Sequence, residues 1–304
     1  MNSTAITLAR GVVGDNNAKI NEPMSLHTTF RVGGPAELYL TPESVSQLAA
    51  LIKLFRQLGV PYMIIGNGSN ILVGDKGIDG AVIEIGKAIG EIVIDGNTVT
   101  AEAGVLLSKL AASAARNGLA GLEFASGIPG SLGGAVYMNA GAYGGEMKDV
   151  VTEVKYLDEN GEVKTISGDM CGFGYRKSIF SGSEKIILSA ALTLTPDNPD
   201  DIRARISELT EKRVTKQPVD KASAGSTFKR PEGYFAAALI EECGLKGFSA
   251  GGASVSEKHS GFVVNNGGAT AEDVLDVIRQ VQKVVKEKKG VDLVLEVKLI
   301  GKFK

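Results

Sequence analysis

The chain has 304 residues, of which 43% are apolar, and a formal net charge of −2. That much apolar material excludes a disordered polymer and predicts two or three packed domains. The near-neutral charge removes one argument for a nucleic-acid partner. It leaves acidic small molecules open, since a few local cations suffice for those.

The first 24 residues read as a lead-in or an additional helix. Thr41-Pro42-Glu43 then offers a capping hydroxyl, a first-turn proline and an acid. Val45, Leu48, Ala49, Ile52 and Phe55 follow at helical spacing, and Gly59 stops the helix. Residues 60–65 read as a strand that runs into Gly66-Asn67-Gly68-Ser69-Asn70, and residues 81–85 as another. Residues 92–95 and 99–103 flank Gly96-Asn97 as a hairpin, and 106–117 form an amphipathic helix closed by Gly118. Residues 121–145 carry little charge and no clear period, and read as loop. A second hairpin surrounds Asn160-Gly161, and residues 186–194 read as a buried strand. Pro196-Asp197-Asn198-Pro199 is the best linker, and a domain boundary is expected there. Beyond it come helices over 201–212 and 234–243 and a strand over 262–264. A long helix opens at Thr270 and Asp273 and stops at Gly290, and a terminal strand covers 291–300. Helices mixed with hairpins argue for an α+β fold rather than a doubly wound parallel sheet.

The glycines are unusually many, 39, and cluster at 66–80, 118–145 and 244–268. Such clusters between apolar runs suit a backbone that approaches a ligand closely. The 66–70 loop can present N–H groups to a pyrophosphate, although a tight turn would explain it as well. It is not a P-loop, because no Gly-Lys-Ser/Thr follows. It is not the dinucleotide fingerprint either, because Ile71 stands at the third glycine position. In residues 123–144, Gly127, Gly130, Gly133 and Gly134 would let a flat cofactor lie on main chain. Gly174-Tyr175-Arg176-Lys177-Ser178 pairs an arginine with an aromatic. Gly225-Ser226 can expose a hydroxyl, with Lys229 and Arg230 near enough to hold phosphates. Glu296 falls on the less apolar face of the expected terminal strand. The only histidines, His27 and His259, and the only cysteines, Cys171 and Cys243, have no ligand spacing, so no metal is expected. No secretory leader or 18-residue apolar run is visible, and a cytoplasmic, reducing setting is the simplest expectation.

Read together, residues 28–36, 66–70, 127–145, 174–178, 225–231, 259–265 and 295–301 resemble the UDP-N-acetylenolpyruvoylglucosamine reductase (MurB) family. The order and joint occurrence of these stretches carry the resemblance, which runs from about residue 25 to the end. It implies the FAD-binding fold of the vanillyl-alcohol-oxidase type, with a C-terminal α+β substrate domain. The implied division is a lead-in at 1–24, FAD-binding subdomains at 25–90 and 91–197, and a substrate domain at 198–304. It implies NADPH-dependent reduction of UDP-N-acetylglucosamine enolpyruvate through FAD, on a small UDP-sugar substrate, with no nucleic acid, membrane span or obligate protein partner. Gly66, Asn67, Gly68, Ser69 and Asn70, with Gly127, Ile128, Pro129, Gly130, Gly133, Gly134 and Ala135, would hold FAD. Ser226 would protonate the substrate carbon, Arg176 would neutralise the substrate carboxylate, and Glu296 would hydrogen-bond it. Tyr143, Arg213, Lys216, Arg230 and His259 would contact substrate, with Arg230 on the pyrophosphate. The chain resembles the second type of the family, without an inserted tyrosine loop between Ile179 and Ser189. The rival readings are another flavoprotein of the same fold that oxidises hydroxyl compounds, and a non-catalytic nucleotide-binding module.

Overall fold

The structure, a computed structural model, describes residues 1–303. The chain forms two compact units, each assembled from three separate stretches. The first is Met1–Lys19, Leu38–Asn67 and Gly80–Lys212; the second is Ile20–Glu37, Gly68–Asp79 and Arg213–Lys304.

In the first unit, helix α1 (Ser3–Val13) is capped by the Asn2 side chain, which accepts the Ala5 N–H at 3.1 Å. Its Ala5, Ala9 and Val13 are buried, so part of the lead-in is an ordered helix. Helix α2 (Val45–Leu58) buries Leu48, Leu51, Ile52 and Phe55, which is the periodicity read from the sequence. Its cap is Ser44 and not Thr41: the Ser44 hydroxyl accepts the Gln47 N–H at 3.2 Å, and Thr41 lies before the helix. Two hydroxyls precede the helix, and the one adjoining it wins. Gly59, in left-handed conformation, closes it.

Strand Tyr62–Ile65 lies parallel to Ile78–Glu84 in a four-stranded sheet of order Ala18–Pro23, Pro35–Leu40, Ile78–Glu84, Tyr62–Ile65. A five-stranded antiparallel sheet follows, ordered Val163–Ser167, Val151–Leu157, Ile186–Thr193, Thr98–Glu102, Ile92–Asp95. Helices α3 (Leu107–Arg116) and α4 (Leu132–Tyr137) contribute Leu110, Ala114, Leu132 and Val136 to the same core. The stretch 121–145 is thus not simple loop. It holds α4 and a hairpin, Gly141–Ala142 with Gly145–Glu146, whose two turn residues both have positive φ, Tyr143 at 51° and Gly144 at 89°. A six-residue helix is too short to show a period, and a tyrosine is a poor signal for such a turn.

The linker candidate is anchored. Thr195 and Pro196 pair with Ala120 and Leu119, and the Asp197 N–H reaches the Gly118 carbonyl at 2.8 Å. Helix α5 (Pro199–Lys216) follows, and the boundary between the two units falls near its end, after Lys212.

The second unit packs helices α6 (Ala236–Glu242) and α7 (Ala271–Lys289) with a three-stranded antiparallel sheet, Ser249–Ala250, Ala253–Val255 and Val263–Asn265. Val274, Val277, Ile278, Val281 and Val285 of α7 form the core with Phe30 and Val32. The Thr270–Asp273 capping box expected from the sequence is present. Asp75 adds a further cap, its carboxylate accepting the Ala271 and Glu272 N–H groups at 2.8 and 3.0 Å.

The terminal strand is shorter than expected. Lys298–Ile300 pairs in parallel with Ile71–Val73, while Leu295 bridges Phe228 instead. The change of partner happens at Thr227, whose carbonyl receives the N–H groups of both Glu296 (2.9 Å) and Val297 (3.5 Å). The single apolar face drawn for a continuous strand therefore fails: Leu293 and Val297 are buried, but Leu299 is exposed.

Candidate active site

In the first unit the glycine-rich segments are pressed together. Strand Tyr62–Ile65 ends at Gly66, where any Cβ would run into the Ser131 hydroxyl. The Asn67 amide donates to the Pro129 carbonyl at 2.7 Å. Residues 130–133 are sewn to the chain before α3. Leu107 N–H bonds the Gly130 carbonyl at 3.0 Å, Leu132 N–H bonds Val105, and Gly133 N–H bonds Ala103 at 2.9 Å. A Cβ on Gly133 would lie 2.9 Å from that of Ala103, so only glycine allows this approach. Ile128 and Ala135 face the core, and Gly134 is exposed, where a Cβ would lie 3.7 Å from the Ser131 hydroxyl oxygen.

Gly68, Ser69 and Asn70 belong to the second unit. Gly68 has φ +59°, its carbonyl accepts the Thr29 N–H at 3.2 Å, and a Cβ there would strike the His27 carbonyl. The neighbouring Thr29 hydroxyl is buried with no hydrogen-bond partner. Within the first unit, bare main chain at Gly66, Gly130 and Gly133 is the chemistry that a nucleotide's phosphates and flat rings accept. The residues present fit FAD on that ground.

Arg176 sits at φ 54° in a tight turn closed by Gly174 and Lys177. Its Nη2 donates to the Gly141 carbonyl at 3.0 Å, and its guanidinium lies 5.1 Å from the Tyr175 ring centre. Tyr143 is exposed at the tip of the hairpin that contains Gly141. Glu146, on the other strand, has its carboxyl held below the usual range. The Lys148 ammonium contributes most, then the Asn139 amide, then the charges of Lys148 and Arg176, against partial burial. Downstream, the chain turns through Ser178, Phe180 and Ser183 straight into strand Ile186–Thr193, which leaves no inserted loop after Ile179.

In the second unit Ser226 follows Gly225 (φ +73°) and is exposed, while Thr227 is fully buried. Thr227 is a hub. Its N–H reaches the Gly261 carbonyl at 2.9 Å, its hydroxyl oxygen accepts the Val263 N–H at 3.0 Å, and its carbonyl receives Glu296. Ser226 and Glu296, remote in sequence, thereby share one piece of main chain. Asn70 supports the same point, its amide donating to the Glu296 carbonyl at 3.2 Å.

His259 is half-buried and edge-on to Phe262, with ring centres 5.1 Å apart. Its Nδ1 accepts the Gly261 N–H at 3.2 Å, and burial lowers its pKa. Arg230 lies with its guanidinium 3.9 Å over the Phe235 ring and its Nε on the Tyr234 carbonyl. Arg213 and Lys216 occupy the last turn of α5. Among the described residues no His, Cys, Asp and Glu cluster could hold a metal ion.

Comparison with known proteins adds to this geometry. Residues 36–167 match an FAD binding domain family, and residues 217–300 match the family described as UDP-N-acetylenolpyruvoylglucosamine reductase, C-terminal domain. The UDP-N-acetylenolpyruvoylglucosamine reductase of Clostridium perfringens (strain SM101 / Type A) is 51% identical over 288 residues, covering 95% of this chain and 94% of the relative. That of Agathobacter rectalis is 52% identical over 295 residues, covering 93% and 94%. The chain belongs to the UDP-N-acetylenolpyruvoylglucosamine reductase family. The crystal structure of the family's enzyme from Thermus caldophilus superposes with a TM-score of 0.80 at 37% identity, over 93% of this chain and 98% of that one. Alkyldihydroxyacetonephosphate synthase, at 15% identity, 64% and 41% coverage and a TM-score of 0.52, shares the fold alone. As a member of the family, the chain is an FAD-dependent oxidoreductase with the α+β FAD-binding fold of the vanillyl-alcohol-oxidase type.

Thr29, Glu146 and Thr227 had no role in the sequence reading, whereas Asn139 could be named only as a possible hydrogen-bonding side chain in the glycine-rich stretch. Thr29 and Thr227 lay inside stretches that resemble the family, but nothing in a hydroxyl's sequence position says that it will be buried.

Proposed function

We propose that the chain reduces UDP-N-acetylglucosamine enolpyruvate to UDP-N-acetylmuramate with NADPH as hydride donor, in peptidoglycan precursor synthesis, and that Arg176, Ser226 and Glu296 serve that step. FAD, held by residues 66–70 and 127–135, would supply the hydride chemistry that links NADPH to the terminal CH2 carbon of the enolpyruvyl ether. Negative charge then develops on the adjacent carbon and spreads into the substrate carboxylate. Arg176 meets that charge with a planar fork suited to a carboxylate. Ser226 donates the proton to the carbon. Glu296, as the carboxylic acid, hydrogen-bonds the carboxylate, a form that an adjoining anion favours. The observation that supports this reading best is the sharing of Thr227 by Ser226 and Glu296, a hydroxyl and a carboxyl bearer on adjoining main chain.

Residues 66–70 and 127–135 hold FAD in this reading, within subdomains at 25–90 and 91–197 that follow the lead-in at 1–24. Residues 198–304 take the UDP-sugar, and Tyr143, Arg213, Lys216, Arg230 and His259 are substrate contacts in this reading. Arg230, planar and backed by Phe235, suits the pyrophosphate. The enzyme works in the cytoplasm and needs no nucleic acid and no obligate protein partner.

The test is direct. Purified protein should be yellow, and NADPH oxidation should depend on added UDP-N-acetylglucosamine enolpyruvate. Colourless protein, or flavin reduced by a hydroxyl compound instead of NADPH, ends this reading.

A further inference from the structure

The turn that carries Arg176 is fastened by a side chain with no part in the step above. Asn139 is fully buried and left-handed, with φ 46°. Its Nδ2 donates to Glu146 Oε2 at 3.0 Å and to the Gly174 carbonyl at 3.1 Å, and its Oδ1 accepts the Lys148 N–H at 2.9 Å. Gly174 in turn exchanges both main-chain bonds with Lys177 across the tip that presents Tyr175 and Arg176. One amide thus ties the Arg176 turn to the hairpin beside it.

Glu146 completes the arrangement. It lies opposite Gly141 in the hairpin, and a Cβ on Gly141 would be 2.7 Å from Glu146 Cγ. The acid's stem therefore covers the residue whose carbonyl receives Arg176 Nη2. Its carboxylate is bonded to the Lys148 ammonium at 2.8 Å, and the Arg176 charge adds to the causes that hold its pKa down, after Lys148 and Asn139. Among the described residues, Asn139, Tyr143 and Arg176 are three of five non-glycine residues with positive φ, so backbone strain concentrates in this one patch.

We propose that Asn139 and Glu146 are positioning residues for Arg176, Asn139 fixing its turn and Glu146 supplying the counter-charge that aligns its guanidinium. This rests on the assignment of Arg176 to the substrate carboxylate. Glu146 shares its charge with Lys148, so it orients Arg176 without neutralising it. Loss of Glu146 would leave Lys148 and Arg176 as two like charges around an empty centre.

The test separates the two half-reactions of the flavin-loaded protein by anaerobic stopped flow. The first is flavin reduction by NADPH. The second is reoxidation by UDP-N-acetylglucosamine enolpyruvate. Glu146→Gln, Asn139→Ala, Arg176→Ala and the Glu146→Gln/Arg176→Ala pair are compared with the parent. Glu146→Gln and Asn139→Ala should each slow reoxidation roughly 10- to 100-fold, the effect of losing a charged hydrogen bond, and leave reduction unchanged. The double variant should be no slower than Arg176→Ala, because the acid acts through the arginine. Asn139→Ala removes a buried hub and risks the fold, so the half-exposed Glu146→Gln carries the decision. Parental reoxidation in Glu146→Gln beside a slow Arg176→Ala overturns the positioning role and leaves the arginine's role standing. Equal slowing of both half-reactions in Glu146→Gln overturns it too, and assigns the network to the fold. Parental reoxidation in Arg176→Ala sinks the assignment underneath.

Discussion

Side chains fasten the Arg176 turn to the hairpin beside it, whereas the main chain around Ser226 and Glu296 is held mostly by main chain, with the Thr227 hydroxyl and the Asn70 amide added. Around Arg176, Asn139 and Glu146 fix the geometry, and neither can be exchanged without losing a bond. Around Ser226, the Thr227 and Lys229 amides and the Glu296 amide make ladder-like bonds that nearly any side chain would permit. The two regions face different tasks. A long, flexible guanidinium has many rotamers to lose and needs outside support to hold one. A short hydroxyl follows its backbone, so fixing the backbone is enough.

The comparison can be broken at several points. The largest effect is expected at the reacting groups themselves. Ser226→Ala should slow reoxidation by about 10²–10⁴ with flavin still bound, the usual range for losing a general acid. Near-parental turnover would remove Ser226 from the step. Arg176→Lys should also be slow, about 10²-fold, because a point charge does not replace a preorganised fork; steady-state turnover at saturating substrate measures it. A smaller loss, about tenfold in reoxidation, is expected of Thr227→Val. That change leaves the Val263 N–H unpaired, a cost of roughly 1–3 kcal/mol, and Thr227→Ser should restore both rate and melting temperature. If the valine variant is unaffected, the ladder needs no side chain at all.

Two further tests concern stability in the second unit. Asp75→Ala should cost about 1–2 kcal/mol in urea unfolding, by leaving the first N–H groups of α7 without their carboxylate. The smallest effect belongs to His259. Its pKa is lower in the folded chain than in the unfolded one, so the unfolded state binds more protons as pH drops below about 6.5. The stability this group contributes is complete above that pH and declines as pH falls toward the folded value. The melting temperature of His259→Gln should therefore fall less between pH 7.5 and 5.5 than that of the parent. Equal slopes would remove His259 from the account.

Much of this fold is legible in the sequence, for physical reasons that differ by element. Helices α2 and α7 announce themselves because a long apolar stripe and its caps are local signals. The hairpin at 141–146 does not, because its turn uses a tyrosine at positive φ, held by surroundings the sequence cannot display. The terminal strand misleads because its partner changes at Thr227, an event decided by residues far away in the chain. At the candidate site, Arg176, Ser226 and Glu296 can be nominated by type and by resemblance. Thr227 cannot, because its importance lies wholly in which distant carbonyls and amides it meets.

The second unit is assembled from residues 20–37, 68–79 and 213–304, and its strand Ile71–Val73 takes its parallel partner from Lys298–Ile300. During synthesis, then, that strand waits until residues 298–300 have emerged before its edge is covered, and parallel pairing over such a separation is slow to form. A chain stopped short of residue 298 keeps most of its core-forming residues yet leaves this edge open, so truncated products should be sticky. The arrival of residues 298–300 is the event that closes this edge.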